Sequence, residues 1–180
     1  RIVSVPKGMP RTKPRALNVG LAWARGKFIV VYDAEDRPES DQLRKAASMF
    51  RALPRRVVCL QARLNFYNRH QTLLTRLFSM DYATWYDMLL PGMVGKQTVV
   101  PLGGTSNHFR IEALRGAGGW DAWNVTEDAD LGIRLARLGW RVADLPSTTF
   151  GGAPARLASW LGQRVRWMKG FGQTVTTHSR

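Results

Sequence analysis

The sequence predicts an α/β fold in which a mostly parallel sheet is flanked by helices. Three observations predict it: an apolar, β-branched run from Phe28 to Tyr32, a helical pattern over 39–53 that ends at Pro54, and a second strand pattern over 57–66. Strand and helix patterns that alternate in this way are typical of parallel strands joined by crossover helices.

The chain begins inside a predicted short strand, 1–5, and has no initiator Met. We therefore expect a fragment of a longer protein, with a fold that is incomplete on its N-terminal side. The remaining patterns predict helices over 15–25, over 72–90, from 126 and from 154, a loop at 91–95, a loop entering a strand over 99–110, and a strand over 140–145.

Composition limits the possible classes of protein. The chain has 180 residues, of which 44% are hydrophobic, enough for one globular domain. Its formal net charge of +14 points to an anionic partner, either a nucleic acid, an anionic membrane surface or a phosphorylated substrate. The single cysteine, Cys59, cannot form an internal disulfide and is predicted to lie in the core. The sequence contains no signal peptide and no apolar run of about 18 residues, the length that a transmembrane helix needs.

The strand that begins at Phe28 ends in three carboxylates, Asp33, Glu35 and Asp36. In an open α/β sheet, ligands bind at the edge formed by the carboxyl ends of the strands. Carboxylates this close repel one another unless a cation is present, and oxygen ligands favour hard ions such as Mg²⁺ or Mn²⁺. Asp33 and Glu35 alternate around Ala34 and can therefore face the same side as a metal-binding pair. The same residues also fit an ordinary helix start capped by Asp36.

A second acidic cluster, TEDAD at 126–130, follows a loop rich in glycine and tryptophan. In a structural interpretation, Thr126 caps a helix and the acids occupy its first turn, where the helix dipole favours them. In a functional interpretation, a carboxylate partly shielded by Trp120 and Trp123 has a pKa raised toward neutrality and serves as a general base.

Gln163, Arg166 and Trp167 lie at i, i+3 and i+4, which places them on one face of the last helix. The spacing fits a basic amphipathic helix with one buried aromatic residue. It also fits a binding face, because an indole can carry a sugar ring while a guanidinium neutralises a neighbouring diphosphate.

Four motifs in a fixed order carry a family resemblance: Lys13, Asp33-Ala34-Glu35, Thr126-Glu127-Asp128 and Gln163-x-x-Arg166-Trp167. Together they closely resemble the motif series of family 2 glycosyltransferases of the cellulose-synthase-like kind, which include chitin and hyaluronan synthases. The resemblance covers nearly all of residues 1–180 and implies a partial catalytic domain with a GT-A type, Rossmann-like fold. It implies a metal-dependent, inverting hexosyltransferase that uses Mg²⁺ or Mn²⁺ and transfers sugar from a nucleotide sugar, first of all a UDP-sugar, to a glycan or other hydroxyl acceptor.

The resemblance also implies a role for each residue. Asp128 resembles the general base that takes the proton of the acceptor hydroxyl. Asp33 and Glu35 resemble the acidic pair that holds the metal and the nucleotide sugar, although Asp is more usual at the second position. The other implied substrate-binding residues are Lys13 at the donor diphosphate, Glu127 beside the base, Gln163, Arg166 and Trp167 at the leaving group and acceptor, and Gly104, Thr105 and Ser106 on the acceptor side. Gly151-Gly152 stands where many relatives carry acids.

A mechanism also follows from the chemistry of these residues, without the family resemblance. Displacing a nucleoside diphosphate from an anomeric carbon needs a base behind the attacking hydroxyl and positive charge at the leaving oxygen. Asp128 would supply the first, and a metal with Lys13 and Arg166 the second. Since this requires no covalent nucleophile, we expect a single displacement that inverts the anomeric carbon and yields a β-linked product. The resemblance implies that this product belongs to polysaccharide synthesis.

By resemblance, transmembrane helices flank this segment and place it on the cytoplasmic face of a bacterial inner membrane, with 154–180 as an interfacial helix. The expected partners are the nucleotide-sugar donor, the glycan acceptor and the membrane, with no nucleic acid. Two other classes stay open on the residues alone: a basic nucleic-acid-binding domain and a noncatalytic membrane assembly subunit. The dispersion of the basic residues counts against the first class, and the intact TED triplet counts against the second.

Overall fold

The computed structural model describes residues 2–179. Five strands form a mixed sheet: β1 (Phe28–Val31), β2 (Arg37–Pro38), β3 (Val57–Phe66), β4 (Asn107–Arg110) and β5 (Arg141–Gly151). Their order across the sheet is β1-β4-β3-β5-β2. β3 and β5 pair in parallel, whereas β4 is antiparallel to β1 and β3, and β2 is antiparallel to β5. The strands β1, β3 and β5 therefore run in one direction, and β2 and β4 run against them.

Helices cover both faces of the sheet. They are α1 (Lys13–Trp23), α2 (Gln42–Ala52), α3 (Leu73–Ala83), α4 (Leu90–Gly95), α5 (Ile111–Gly116), α6 (Glu127–Arg137) and α7 (Leu157–His178), and a π-helical turn, Thr84–Leu89, joins α3 to α4. Successive residues of a strand point to opposite faces. Accordingly, Leu60 of β3 packs in a cluster with Phe50 of α2, while the neighbouring Cys59 packs in another with Leu131 of α6.

β3 is the central strand, and its sequence explains why. Its first six residues are all buried, as expected for a strand covered by helices on both faces. The predicted strand at 57–66 is confirmed at both ends, and the predicted core position of Cys59 is confirmed because its side chain is fully buried.

Several predicted elements differ from the structure. Residues 2–5 form no strand, and Arg1 lies outside the described residues. The predicted loop at 91–95 is helical because Leu90 is buried in a cluster with Leu64 and Val100, and Pro91 occupies the first turn, where a missing amide N–H costs no bond. The helices predicted to start at 15, 39 and 154 start at 13, 42 and 157, and the strand predicted to end at 145 continues to 151.

One edge of the sheet collects the strand ends that lead into the candidate site. The carboxyl ends of β1, β3 and β5 and the amino end of the antiparallel β4 lie at one edge of the sheet. The loops at this edge contain most of the residues that the sequence singles out. Within residues 2–179, no helix combines the length and apolar character needed to cross a membrane.

Candidate functional site

The turn after β1 forms the first part of the candidate site. Lys13, at the start of α1, makes an ion pair through Nζ with Oδ1 of Asp33 and donates a hydrogen bond to the carbonyl of Gly104 at 2.7 Å. One ammonium therefore ties together three segments that are far apart in the chain, each of which carries a predicted site residue.

The acidic turn arranges its carboxylates differently from the predicted pair. Oδ2 of Asp36 accepts a hydrogen bond from the Asp33 amide at 2.8 Å and another from the Thr105 hydroxyl. Glu35 is exposed to solvent instead. Asp36 does not cap a helix either, because a later residue, Asp41, precedes α2. The carboxylate that the site holds beside Asp33 is thus Asp36, which sequence reasoning treated only as a helix start.

The loop that leads into β4 is held from beneath by a buried amide. Gln61 of β3 is fully buried, accepts a hydrogen bond from the Gly103 amide at 2.8 Å and donates one to the Thr105 carbonyl at 3.1 Å. Ser106 has a φ of +56°, in the left-handed region, and its amide donates to the Val31 carbonyl at 2.7 Å. Sequence reasoning missed Gln61; the signal was a glutamine inside an apolar strand, because a buried amide needs specific partners.

Asp128 lies in the first turn of α6, against this loop. A Cβ placed on Gly104 would lie 3.2 Å from Oδ2 of Asp128, so the loop backbone and the carboxylate are almost in contact. Burial raises the pKa of Asp128, and the charge of Asp33 raises it further, whereas the Ala129 amide and the Lys13 ammonium lower it. A carboxylate whose pKa lies above its ordinary value is better matched to accepting a proton near neutral pH.

The walls around Asp128 are not the predicted tryptophans. Trp120 is buried in the core and Trp123 is exposed. Tyr86, which is buried, and Tyr82, which is half-buried, lie close enough for the charge of Asp128 to act on them. Burial is the main cause of the raised pKa of both phenols, and the negative charge of Asp128 adds to it. Two neutral phenols therefore help to limit the hydration of the carboxylate.

Glu127, next to Asp128, is a buried acid of the same cluster. Burial raises its pKa from 4.5 to about 7, and the neighbouring charge of Asp128 contributes to the shift. The folded protein therefore keeps a proton on Glu127 at pH values where the unfolded chain has released it.

This proton predicts a pH-dependent stability. Between pH 4.5 and about 7 the folded state binds more protons than the unfolded state, so the free energy of unfolding falls as the pH rises. Glu127→Gln removes that slope, and we expect it to gain stability relative to wild type by roughly 2–3 kcal/mol between pH 5 and pH 8. Urea unfolding at both pH values measures the difference. Parallel pH profiles for the two proteins would contradict the prediction.

Two of the three residues predicted on the last helix line a cleft of about 520 Å³. Gln163 and Arg166 face it from α7, and Tyr67 and Gly152 form part of the opposite wall. Within the described part of the chain, Oε1 of Gln163 is buried and has no hydrogen-bond partner. A buried carbonyl oxygen without a partner is costly, so this atom is a natural acceptor for a hydroxyl of a bound ligand.

Trp167 is half-buried and does not line the cleft. It packs against Phe78 of α3 with 6.3 Å between the ring centroids. The guanidinium of Arg164 lies 5.3 Å from the Trp167 ring and forms an ion pair with Asp81 of α3. Arg164, which was not predicted, thus fastens α7 to α3, while the neighbouring Arg166 stays exposed at the cleft.

Gly151 and Gly152 connect the cleft with the acidic turn. A Cβ on Gly151 would lie 3.7 Å from Oδ1 of Asp36, and one on Gly152 would lie 2.9 Å from the Tyr67 hydroxyl. The guanidinium of Arg37, next to the acidic turn, stacks 4.3 Å from the centroid of the Tyr67 ring. The cleft and the acidic turn are therefore neighbouring parts of one site, and an acid at position 152 would collide with Tyr67.

The second half of α7 docks directly on the segment that carries Asp128. Gly170 approaches Thr126 so closely that a Cβ would lie 2.5 Å from its Cγ2 and 2.9 Å from its amide nitrogen. The buried Thr174 accepts a hydrogen bond from Asn124 at 2.9 Å, and its hydroxyl lies 3.2 Å from that of Thr126. This contact fixes the position of α7 relative to the start of α6.

An acid of the same segment anchors the end of α7. Asp130, almost fully buried, lies 2.7 Å from Arg134 through one oxygen and 2.7 Å from His178 through the other. Arg134 also donates hydrogen bonds to carbonyls of the preceding loop, including that of Gly119 at 2.8 Å. Of the three acids in the TEDAD cluster, Asp130 therefore holds the structure together.

The oxygen-rich acidic turn is compatible with a divalent cation. The described residues contain no group of three or more His, Cys, Asp or Glu side chains arranged to hold a metal. Mg²⁺ and Mn²⁺ commonly bind through one or two carboxylates and complete their coordination with water and substrate phosphates. Asp33, with Asp36 and the exposed Glu35 beside it, matches that donor set in its chemistry.

The fold and the site together define a glycosyltransferase of the GT-A type. The chain belongs to the family described as glycosyl transferase family group 2, which matches residues 28–180. The predicted family and the α/β, GT-A type fold class are thereby confirmed. The sheet is mixed rather than mostly parallel in its pairing, because the short strands β2 and β4 run against β1, β3 and β5 and make three of the four strand pairs antiparallel.

Relatives from two bacteria and a plant match the chain. It is 28% identical over 174 residues to the probable glycosyltransferase YdaM of Bacillus subtilis, which covers 94% of this chain and 40% of the relative. It is 33% identical to glucomannan 4-beta-mannosyltransferase 2 of Arabidopsis thaliana, covering 76% of this chain and 28% of the relative. It is 30% identical to the beta-monoglucosyldiacylglycerol synthase of Synechocystis, covering 100% of this chain and 37% of the relative. The chain thus spans 40% or less of the length of these relatives.

Two solved structures share the fold. One is the mannosyltransferase PcManGT from Pyrobaculum calidifontis in complex with GDP-Man and Mn²⁺, with a TM-score of 0.68 and 22% identity, covering 93% of this chain and 44% of that one. The other is S. aureus TarS in complex with UDP-GlcNAc, with a TM-score of 0.52 and 18% identity, covering 80% of this chain and 39% of that one.

Proposed function

We infer that the protein transfers a hexose from a nucleotide sugar, in the first instance a UDP-sugar, to a hydroxyl of a glycan or other acceptor, with inversion at the anomeric carbon. The observation that carries this proposal is the position of Asp128: its half-buried carboxylate lies against the loop at Gly104, which is tied to Asp33 through Lys13. A base this close to Lys13, the proposed partner of the donor diphosphate, suits direct displacement of the diphosphate by the acceptor hydroxyl.

The proposed reaction is a single displacement. The acceptor oxygen attacks the anomeric carbon, its proton passes to Asp128, and the bond between the anomeric carbon and the phosphate oxygen breaks. The nucleoside diphosphate leaves with the bonding electrons, and Lys13 and Arg166 would neutralise its charge. Because one carboxylate serves as base and no covalent intermediate is needed, the sugar leaves an α-linked donor as a β-linked product.

A divalent metal, Mg²⁺ or Mn²⁺, forms part of the proposal. Asp33 and the carboxylates beside it, Asp36 or Glu35, would hold it, and it would supply positive charge to the diphosphate. PcManGT, which shares the fold, is described in complex with Mn²⁺ and a nucleotide sugar. That complex makes the metal a reasonable expectation for this chain.

We also propose that the full-length protein works at the cytoplasmic face of a bacterial inner membrane. The support is an exposed apolar stripe along α7, where residues three or four positions apart share one face: Leu157, Leu161, Val165, Met168 and Val175. Basic side chains on the same helix would favour an anionic lipid surface, as expected for an interfacial helix over 154–180.

The test is sugar transfer by the full-length protein. Membrane and soluble fractions of expressing cells are incubated separately with a panel of radiolabelled UDP- and GDP-sugars, with Mg²⁺, with Mn²⁺ or with EDTA. We expect metal-dependent transfer from one donor, found in the membrane fraction, and a product whose new bond is cleaved by a β-specific glycosidase. Transfer that survives EDTA would refute the metal, an α-linked product would refute inversion, and activity confined to the soluble fraction would refute the location. Absence of transfer from every donor would refute the activity.

A further inference from the structure

The loop between α5 and α6 contains two tryptophans, one buried and one exposed. Trp120 is buried in the core at 5% exposure, whereas Trp123, three residues later, is 67% exposed. A single exposed apolar side chain is ordinary on a protein surface. Trp123 differs from such a side chain in how its loop is held and in the polar groups bonded to that loop.

The backbone around Trp123 is fixed from both sides. Thr12, next to the start of α1, donates a hydrogen bond to the Ala122 carbonyl at 2.9 Å. Gln173 of α7 donates to the Trp123 carbonyl at 3.3 Å, and Asp121 accepts from the Trp123 amide at 2.9 Å. A loop tied to two helices presents its exposed ring in a defined place, which reduces the entropy lost when a ligand binds.

The same bonds join the loop to two segments that carry residues of the candidate site. Thr12 directly precedes Lys13, which pairs with Asp33 at the donor end of the site. Gln173 lies seven residues, or about two helical turns, from Arg166, and therefore on the same side of α7. Asp128 follows Trp123 by five residues. The Trp123 backbone is thus held between the helix that carries Lys13 and the helix that carries Arg166.

The surroundings of the indole suit a carbohydrate. A pyranose ring has a face of C–H groups, which packs on a flat aromatic ring, and a rim of hydroxyls, which needs hydrogen-bonding groups nearby. Three such groups are bonded to the backbone at Ala122 and Trp123, namely the carboxylate of Asp121, the amide of Gln173 and the hydroxyl of Thr12. All three belong to exposed residues, so each can also bond to a ligand hydroxyl.

We propose that Trp123 is a stacking platform for a pyranose ring of the acceptor, beyond the sugar unit that reacts. This inference rests on the proposed glycosyl transfer and extends it, because it makes the acceptor an oligosaccharide rather than a single hydroxyl on a lipid. Trp123 binds the acceptor and takes no part in the displacement itself.

The test is a binding measurement that needs no turnover. Full-length protein is titrated calorimetrically with two probes, cellotetraose and β-1,4-linked mannotetraose, as wild type and as Trp123→Ala, Trp123→Phe and Trp23→Ala. Trp23 is a matched control because it is also exposed, at 51%, but lies ten residues from Lys13 along α1, about 15 Å away at the usual helical rise.

We expect Trp123→Ala to weaken binding of at least one tetrasaccharide by about tenfold, and Trp123→Phe by about threefold or less, since phenylalanine keeps a stacking face. Trp23→Ala should bind like wild type. The proposal is overturned if Trp123→Ala binds like wild type, if both alanine variants weaken binding equally, or if wild type binds neither tetrasaccharide. Because the titration involves no donor, its outcome is independent of the transfer assay, which judges the proposed function separately.

Discussion

Asp128→Asn is expected to lower sugar transfer by about three orders of magnitude while donor affinity stays within about twofold of wild type. The asparagine keeps the size of the side chain but cannot take the proton of the acceptor hydroxyl. Donor contacts should survive, because Lys13 and Asp33 hold their ion pair independently of that proton. Initial rates of transfer and calorimetric titration with the nucleotide sugar measure the two quantities.

A suitable control for this variant is Glu112→Gln. Glu112 is also a carboxylate in the first turn of a helix, but it is exposed and lies in α5. It should retain full transfer. The assignment of Asp128 as the base fails if Asp128→Asn keeps more than about a tenth of wild-type transfer, or if donor binding is lost in parallel with turnover.

Gly170→Ala is expected to destabilise the protein by about 3 kcal/mol and to reduce transfer together with it. The added methyl would lie 2.5 Å from Cγ2 and 2.9 Å from the amide nitrogen of Thr126, so either α7 or the start of α6 must move. Because α7 carries Gln163 and Arg166, its displacement changes the cleft as well as the stability. Urea unfolding and the transfer assay measure the two effects.

The same helix offers a matched control two residues away. A Cβ on Gly172 would meet nothing within 4 Å, so Gly172→Ala changes only the helix propensity. It should stabilise the protein by roughly 0.5–1 kcal/mol. If Gly170→Ala is as stable as Gly172→Ala, the close packing of α7 on Thr126 is not a property of the protein in solution.

Much of the fold could be predicted because local patterns agree with the tertiary structure. The strand at 57–66 begins with the apolar run 57–60, and its first six residues are buried, as a strand covered on both faces requires. The segment at 91–95 shows the opposite case. Proline and glycine suggest a loop, but a continued helix is stabilised because it buries Leu90. Some residues of the Leu90 cluster are distant in sequence, so no local pattern can identify them.

The candidate site was predictable at the level of motifs and less so at the level of atoms. Sequence order identified Asp33 and Asp128, and the structure brings both to one corner with Lys13. Sequence order could not decide whether Glu35 or Asp36 turns inward. That choice depends on the hydrogen bond that the Thr105 hydroxyl, from another loop, donates to Asp36. Whether these residues act as proposed stays a prediction until the variants are measured.

The last helix shows a further limit of the same kind. Arg164 and Arg166 look equivalent in sequence, yet Arg164 pairs with Asp81 while Arg166 remains at the cleft. Likewise, only the tertiary structure separates the buried Trp120 from the exposed Trp123. Residue type predicts which interactions are available, and the neighbours supplied by distant segments decide which are formed.

The seven residues from 124 to 130 carry Asp128, the proposed base, and also contact α7 through Asn124, Thr126 and Asp130. Substitutions that move α7, and with it the cleft lined by Gln163 and Arg166, will therefore also move Asp128. In double-mutant cycles, pairs taken from α7 and this segment should be non-additive by roughly 0.5–3 kcal/mol. Adaptation to a new acceptor would thus proceed through paired changes in the two segments, because neither can vary freely while the other stays fixed.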